Sequence, residues 1–193
     1  ETLVLLATFV ATITIELEFA IYIGVGLSLL LYLKRTSQPS LDDVKPVPGQ
    51  IPPAFSAATD LPDCPQLKIV RINGSIFFGA VNHLQDALQQ IDVGNSGHVH
   101  VLLVASGINF VDLAGAQLLA QEAQRRRAIG GALYVFNMKD EPLDMLRRSG
   151  AYAHIGSENF FTMGQDVMTT LKARLNSDVC SRCTVRVFAP CKS

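Results

Sequence analysis

A chain of 193 residues is long enough for one good-sized domain and an appendage. Its 16 Lys and Arg against 17 Asp and Glu give a net charge of −1, which leaves no basic excess for holding nucleic acid. With 49% hydrophobic residues and a mean hydropathy of +0.28, the chain is more apolar than an ordinary soluble domain.

That excess sits at one end. Residues 2–15 and 19–33 are two uncharged apolar runs, separated by Glu16, Leu17 and Glu18 and closed by Lys34 and Arg35. Each run makes roughly 22 Å of helix, short of the ~20 residues a bilayer core requires. One continuous helix would place carboxylates in mid-membrane at about 2.5–3.5 kcal/mol each. A hairpin turning at Glu16 and Glu18 keeps both near a surface, and two short transmembrane helices are therefore expected over residues 1–35. A proton-coupling role for Glu16 and Glu18 ranks behind that surface position. Lys34 and Arg35 put the following chain in the cytoplasm. Gly24 and Gly26, with Ser28, offer small residues to a neighbouring helix, although glycine is common in membrane helices in any case. Tyr22 and Tyr32 are the candidate interface anchors, since tryptophan is absent. The chain opens on Glu1 with neither a basic leader nor a small-residue cleavage site, unlike a signal peptide. It reads as the end of a longer membrane protein.

Residues 36–65 hold Pro39, Pro46, Pro48, Pro52, Pro53, Pro62 and Pro65, and read as an extended linker unable to form a helix or central strand. Regular patterning starts at residue 66. Residues 67–72 suit a strand, Asn73-Gly74 a turn, and 75–78 the returning strand of a hairpin. Val81, Leu84, Leu88 and Ile91 have helical spacing, and residues 94–97 break that helix. Residues 99–105 suit a strand buried on both faces. After a loop, Ala116, Leu119, Ala120 and Ala123 form the apolar stripe of a second helix, with Gln121, Gln124, Arg125, Arg126 and Arg127 around its polar side; Gly130-Gly131 ends it. Residues 132–136 form another strand. Asp140-Glu141-Pro142 starts a helix that stops near Ser149-Gly150. Residues 160–161 form a short strand at most, and 164–175 a final helix with Met168, Leu171 and Leu175 inward. The alternation predicts an α/β domain over 66–176, with a mixed, mainly parallel sheet and helices largely on one face, then a cysteine-containing tail over 177–193.

No phosphate-binding Gly-rich loop ending in Gly-Lys-Ser/Thr is present. His83, His98, His100 and His154 are the only histidines, and no nucleophile–base set accompanies them. The chain is accordingly read as no enzyme, with no catalytic residue and no cofactor. His98 and His100 lie on one face of a strand but are too few for a metal, and read as exposed at the strand entry. Cys64, Cys180, Cys183 and Cys191 make no disulfide framework and are read as reduced cytoplasmic thiols. Cys180, Cys183 and Cys191 lack a second ligand pair, so no metal site is assigned. Arg125, Arg126 and Arg127 read as a solvated helix face, with lipid headgroups as the alternative contact. The binding or regulatory loop is Ser106, Asn109, Asp112, Leu113 and Ala114 with Gly107, at the carboxyl end of a parallel strand, where open α/β sheets carry ligands or partners. Asp112 alone is also explained as a helix cap.

Asn109-Phe-Val-Asp112-Leu-Ala-Gly115 after a buried strand resembles the STAS domain, the fold of bacterial anti-sigma-factor antagonists. Residues 68–78 leading into Gly79 and Ala80, and residues 132–136 followed by Leu143, Leu146 and Ser149-Gly150, resemble it too; the likeness covers 66–176. Residues 17–39 are similar to the last membrane helix of SulP anion transporters, which end in a proline-bearing linker and a cytoplasmic STAS domain. The resemblance implies a multi-pass secondary transporter of sulfate or a related anion in the inner or plasma membrane. Such proteins are usually dimers with fourteen membrane segments, of which the last two would be here. It also implies contacts with the lipid bilayer, the rest of the transporter, a second copy and a cytoplasmic protein at the STAS surface, with the STAS domain serving regulation, trafficking or assembly. The family's substrate site lies in earlier segments, so no substrate residue transfers. In the antagonists a phosphorylated serine follows the motif aspartate. Here Leu113 and Ala114 stand there and cannot accept phosphate, and Ser106 is not equivalent, so that switch is absent. The alternative reading is a membrane-tethered interaction module resembling an antagonist without its phosphorylatable serine. A nucleotide contact of the kind proposed for some STAS domains is left open.

Overall fold

The computed structural model describes residues 2–14, 17–47, 50, 54–57, 62–94 and 98–191. They form two compact units, Glu1–Gln38 and Pro39–Ser193.

In the first unit, helix α1 (Thr2–Thr14) packs along helix α2 (Leu17–Thr36). Thr8 lies against Gly24, where an added Cβ would stand 3.1 Å from Thr8 Oγ1. Thr8 lies six residues before the end of α1 and Gly24 seven after the start of α2, so the helices are antiparallel, as the hairpin expectation requires. Glu16 lies outside the described residues; Glu18 is exposed. Of the two glycines, only Gly24 serves close approach, because nothing lies within 4 Å of a Cβ on Gly26. Thr8 and Thr12 donate their hydroxyls to the carbonyls four residues back, each at 2.7 Å, which hides polar groups along an apolar helix. Helix α2 is longer than its apolar run. It continues through Lys34 and Arg35, whose charges suit a helix C-terminus, and its 20 residues span about 30 Å. Residues Glu18–Thr36 are long and apolar enough to cross a membrane by length and composition. Leu5, Phe9, Tyr22 and Leu30 are among many large apolar side chains left exposed.

The second unit is an α/β sandwich. Strand β1 (Ser40–Asp43) runs antiparallel to β4 (Leu67–Ile76), while β2 (Lys45–Pro46) and β3 (Phe55–Ser56) form a separate two-stranded ribbon. After β4 come α3 (Val81–Gly94), β5 (His100–Val104), β6 (Ile108–Val111), α4 (Leu113–Ala128), β7 (Leu133–Phe136), α5 (Asp140–Arg148), α6 (Ala151–Ile155), β8 (Phe160–Phe161), α7 (Val167–Arg174) and α8 (Ser177–Arg182). The strand order is β1-β4-β5-β7-β8, and every pairing but the first is parallel. Strand β6 pairs in parallel with the carboxyl end of β4.

One face of the sheet carries the main core. Leu84 of α3, Ala116, Leu119 and Ala123 of α4 and Leu146 of α5 pack on Val70, Ile72, Val101, Leu103, Leu133 and Val135. The other face is covered by Val167, Met168, Leu171 and Leu175, together with Val44, Phe55 and Phe188. Strands β5 and β7 are buried at every position because both faces are covered.

Several local expectations are overturned. Asn73-Gly74 is no hairpin turn. Strand β4 continues through it, and Gly74 takes φ 130°, where an added Cβ would stand 2.9 Å from Pro39, a conformation glycine adopts without a Cβ penalty. The register shift there lets β4 pass from β5 to β6. Part of the 36–65 stretch joins the domain: β1 supplies an edge strand, where proline nearby costs little, and Val44 and Phe55 enter the second core. Helix α7 is followed by α8, and Asn176 caps α8 by accepting from the Asp178 and Val179 N–H groups. His98 and His100 are buried, not exposed. His98 meets the Cys64 carbonyl at 2.8 Å, and the His100 ring stacks on Tyr134, with burial lowering its pKa.

The arginine run is no solvated face either. Arg126 is 0% exposed. Its Nε donates to Glu122 Oε1 at 2.6 Å, and its Nη1 and Nη2 donate to the carbonyls of His98 and Leu88 at 2.8 and 3.2 Å. Asp92 Oδ1 stands 2.7 Å from Nη1 as an ion pair without hydrogen-bond alignment. Arg125 grips both Glu122 oxygens and also pairs with Asp92; the Glu122 hydrogen bonds first of all hold its pKa above the ordinary value. Only Arg127 is exposed. Two of the three arginines therefore tie α4 to α3 and to the entry of β5.

Candidate functional site

The carboxyl ends of β4 and β6 and the start of α4 meet at Asp112. This residue has extended backbone and caps α4, with Oδ1 accepting the Gly115 N–H at 2.8 Å. Its Oδ2 accepts the Phe78 N–H at 2.9 Å, and its own N–H donates to the Ile76 carbonyl at 3.1 Å. One side chain thus fastens the end of β4 to the start of α4. The carboxylate also lies where the helix dipole favours negative charge.

Two glycines allow the close approach. A Cβ on Gly115 would stand 2.3 Å from the Ile76 carbonyl oxygen, and one on Gly107 would stand 2.6 Å from that of Ile72. Ser106 is half-buried, Asn109 exposed, Leu113 exposed and Ala114 half-buried. Asn109 Oδ1 accepts from Lys139 Nζ at 2.6 Å, which joins this loop to the residue before α5. The sequence-predicted loop residues are therefore brought to one end of the sheet, with Asp112 as a fastening group.

Sequence reasoning named Leu113 but missed Phe78 and Phe110 around that fastening. Phe78 is 81% exposed, Leu113 55% and Phe110 44%. They flank Asp112 in the chain or through its hydrogen bond. Phe78 was hidden by the strand expected over 75–78, while Leu113 stood out as the position where the antagonists carry serine. Large exposed apolar groups at the carboxyl end of a sheet suit protein contact more than bond-making chemistry. Among the described residues no group of three or more His, Cys, Asp and Glu is arranged to hold a metal ion.

Replacing Asp112 by Ala should destabilise the second unit by about 0.5–2 kcal/mol for the cap, with a further loss for the Phe78 N–H left unpaired. Asp112→Asn should recover most of the cap. Urea unfolding of the detergent-solubilised chain, followed by far-ultraviolet circular dichroism, measures both.

The STAS domain family matches residues 58–167, more than half of the chain. Among curated proteins, the chain is similar to the putative sulfate transporter YvdB of Bacillus subtilis, 21% identical over 166 residues, covering 83% of this chain and 28% of that protein. It is 25% identical over 179 residues to the probable sulfate transporter 4.2 of Arabidopsis thaliana, covering 83% and 25%. The chain thus spans about a quarter of the length of these relatives. Among solved structures, the murine Solute Carrier 26 family member A9 anion transporter in the inward-facing state superposes with a TM-score of 0.71 at 18% identity, over 90% of this chain and 28% of that one. Another structure of SLC26A9 gives 0.73 at 15% identity, over 91% and 30%. These superpositions cover more of the chain than residues 39–193 alone could supply, so the shared fold includes part of the helical hairpin.

Proposed function

The chain belongs to the STAS domain family, and from that premise we propose that it is the terminal membrane hairpin and cytoplasmic STAS domain of a secondary transporter for sulfate or a related anion. The observation that carries this reading is the order within one chain. An apolar antiparallel hairpin ends in Lys34 and Arg35, and a STAS domain follows directly. The sulfate transporters it resembles align over 83% of it, which supports a shared arrangement beyond the STAS domain. Lys34 and Arg35 support a cytoplasmic position for the domain. The exposed apolar side chains of α1 and α2 suit lipid and the remainder of a transporter bundle, which would also hold the substrate path. A second copy of the transporter is the expected assembly partner.

The STAS domain's part in this reading is contact and regulation. Phe78, Phe110 and Leu113 offer an apolar face to a protein, held rigid by Asp112. Leu113 cannot be phosphorylated, so the contact is constitutive at that position.

The test is uptake by proteoliposomes containing the product of the gene's full reading frame. Sulfate, bicarbonate, chloride and a dicarboxylate are each offered, and uptake of at least one is expected. Uptake of none overturns the transporter reading and favours the tethered interaction module. In the same assay Leu113→Asp should lower the transport rate or the amount at the membrane several-fold, while stability stays within about 0.5 kcal/mol, as for surface changes generally.

A further inference from the structure

At the end of the sheet opposite Asp112, where β7 begins, the second unit holds an open cavity of about 830 Å³. Four elements wall it. Helix α4 brings Arg127 in its last turn, α6 brings Tyr152 and His154, a 3-10 turn over Ser157–Asn159 brings Ser157 and Glu158, and α7 brings Arg174 in its last turn. The sequence scatters these groups, and the parallel sheet collects them.

The two arginines reach the cavity in different states. Arg174 is already fixed. Its Nη1 donates to Asn159 Oδ1 at 3.0 Å and its Nη2 to the Glu158 carbonyl at 3.1 Å, while the guanidinium carbon lies 5.6 Å from the ring centres of both Tyr134 and Phe161. Asn159 is buried and donates in turn to the Ile155 carbonyl at 2.7 Å. A guanidinium carries more N–H groups than these two bonds use, so oriented donors remain for a ligand. The Arg127 side chain is exposed, and among the described residues its guanidinium has no hydrogen bond or ion pair, unlike those of Arg125 and Arg126. It is free to close on an anion.

We propose that this cavity binds a phosphorylated polyol, with the phosphate monoester held by Arg127, Arg174 and His154 and the hydroxyls met by Ser157, Glu158 and Tyr152. Guanidinium forks match the spacing of phosphate oxygens, and an imidazole adds a further N–H. Donors arriving from three helices suit the three outer oxygens of a phosphoryl group better than the two of a flat carboxylate. Glu158 is the one carboxylate on the wall. It disfavours a ligand charged along its whole length and accepts instead from hydroxyl groups. The volume falls within the roughly 300–1,000 Å³ of small-molecule sites, and a bare oxyanion would leave most of it to water. The same chemistry is offered by a free sugar phosphate and by a phosphorylated inositol lipid headgroup. Binding here is separate from any transport path, so it is measured without uptake.

The test uses the complete chain in phosphatidylcholine nanodiscs, titrated calorimetrically with inositol monophosphate and with inorganic phosphate. Saturable binding of inositol monophosphate at a single site is expected, tighter than that of inorganic phosphate and weakened by added salt. Arg127→Ala should lower the affinity by about tenfold or more, the loss of one charge-assisted hydrogen bond, with the melting temperature unchanged because that side chain supports nothing else. Arg127→Lys should recover part of the affinity. Arg174→Gln should lower it as well, and the Arg127 variants carry the test should that change loosen the turn at Asn159. Repeating the titration in nanodiscs doped with phosphatidylinositol phosphate identifies the source: loss of the titratable site assigns the lipid headgroup, and an unchanged site assigns the free compound. No saturable binding in either disc, parental affinity in Arg127→Ala, or inorganic phosphate binding as tightly as inositol monophosphate overturns the proposal.

Discussion

Arg126→Ala should cost the second unit about 3–5 kcal/mol, the loss typical of breaking a buried pair from one side. Removing the guanidinium leaves the buried Glu122 with Arg125 as its remaining partner and strips the donors from the carbonyls of His98 and Leu88. That is a large fraction of the 5–15 kcal/mol typical of a domain, so the variant should be partly unfolded at physiological temperature. The neighbouring Arg127→Ala should change stability by no more than about 0.5 kcal/mol, because Arg127 is exposed. Replacing both members, Glu122→Gln with Arg126→Met, should cost less than the sum of the single changes, since no uncompensated charge then stays buried. Urea unfolding in detergent, followed by far-ultraviolet circular dichroism, gives all five values. An Arg126→Ala midpoint equal to that of Arg127→Ala would overturn the account of this network.

Gly115→Ala should cost about 3 kcal/mol, the upper part of the range for overpacking. The added Cβ would meet the Ile76 carbonyl oxygen at 2.3 Å, and that oxygen accepts the Asp112 N–H. A backbone group in a strand cannot rotate aside as a side-chain end would. Helix α4 must instead lift away, which loosens Asp112 and the Phe78 N–H bonded to it. The variant should therefore lose stability and also weaken whatever contact Phe78, Phe110 and Leu113 make. Gly130→Ala is the control. That residue has φ 82° with nothing within 4 Å of an added Cβ, so only left-handed strain of about 1 kcal/mol applies. The same unfolding measurement separates the two.

Some residues disclosed their roles because the physics was local. Val81, Leu84, Leu88 and Ile91 repeat at helical spacing; the first core holds Val81, Leu84 and Ile91, and Leu88 is buried. Asp112 stands where a helix cap is needed, and it caps. The placement of Ser106, Asn109, Asp112, Leu113 and Ala114 at one sheet end follows from a strand running into a helix. Asn73-Gly74 misled because its turn chemistry also serves a strand that must shift its register. Phe78 was read as the end of a strand, and its hydrogen bond to Asp112 joins positions 34 apart in the chain.

The sequence by itself determined the apolar hairpin, the helix and strand periods, the capping aspartate and the STAS likeness, because each depends on residues within a turn or a short motif. Tertiary structure alone decided that β1 closes the sheet edge, that Arg126 is buried with Glu122 while Arg127 is not, and that Arg127 and Arg174 line one cavity. Those outcomes depend on which distant segments share a face. Periodicity marks a residue as lying on the polar side of a helix, but burial of that side is set by the element packed against it.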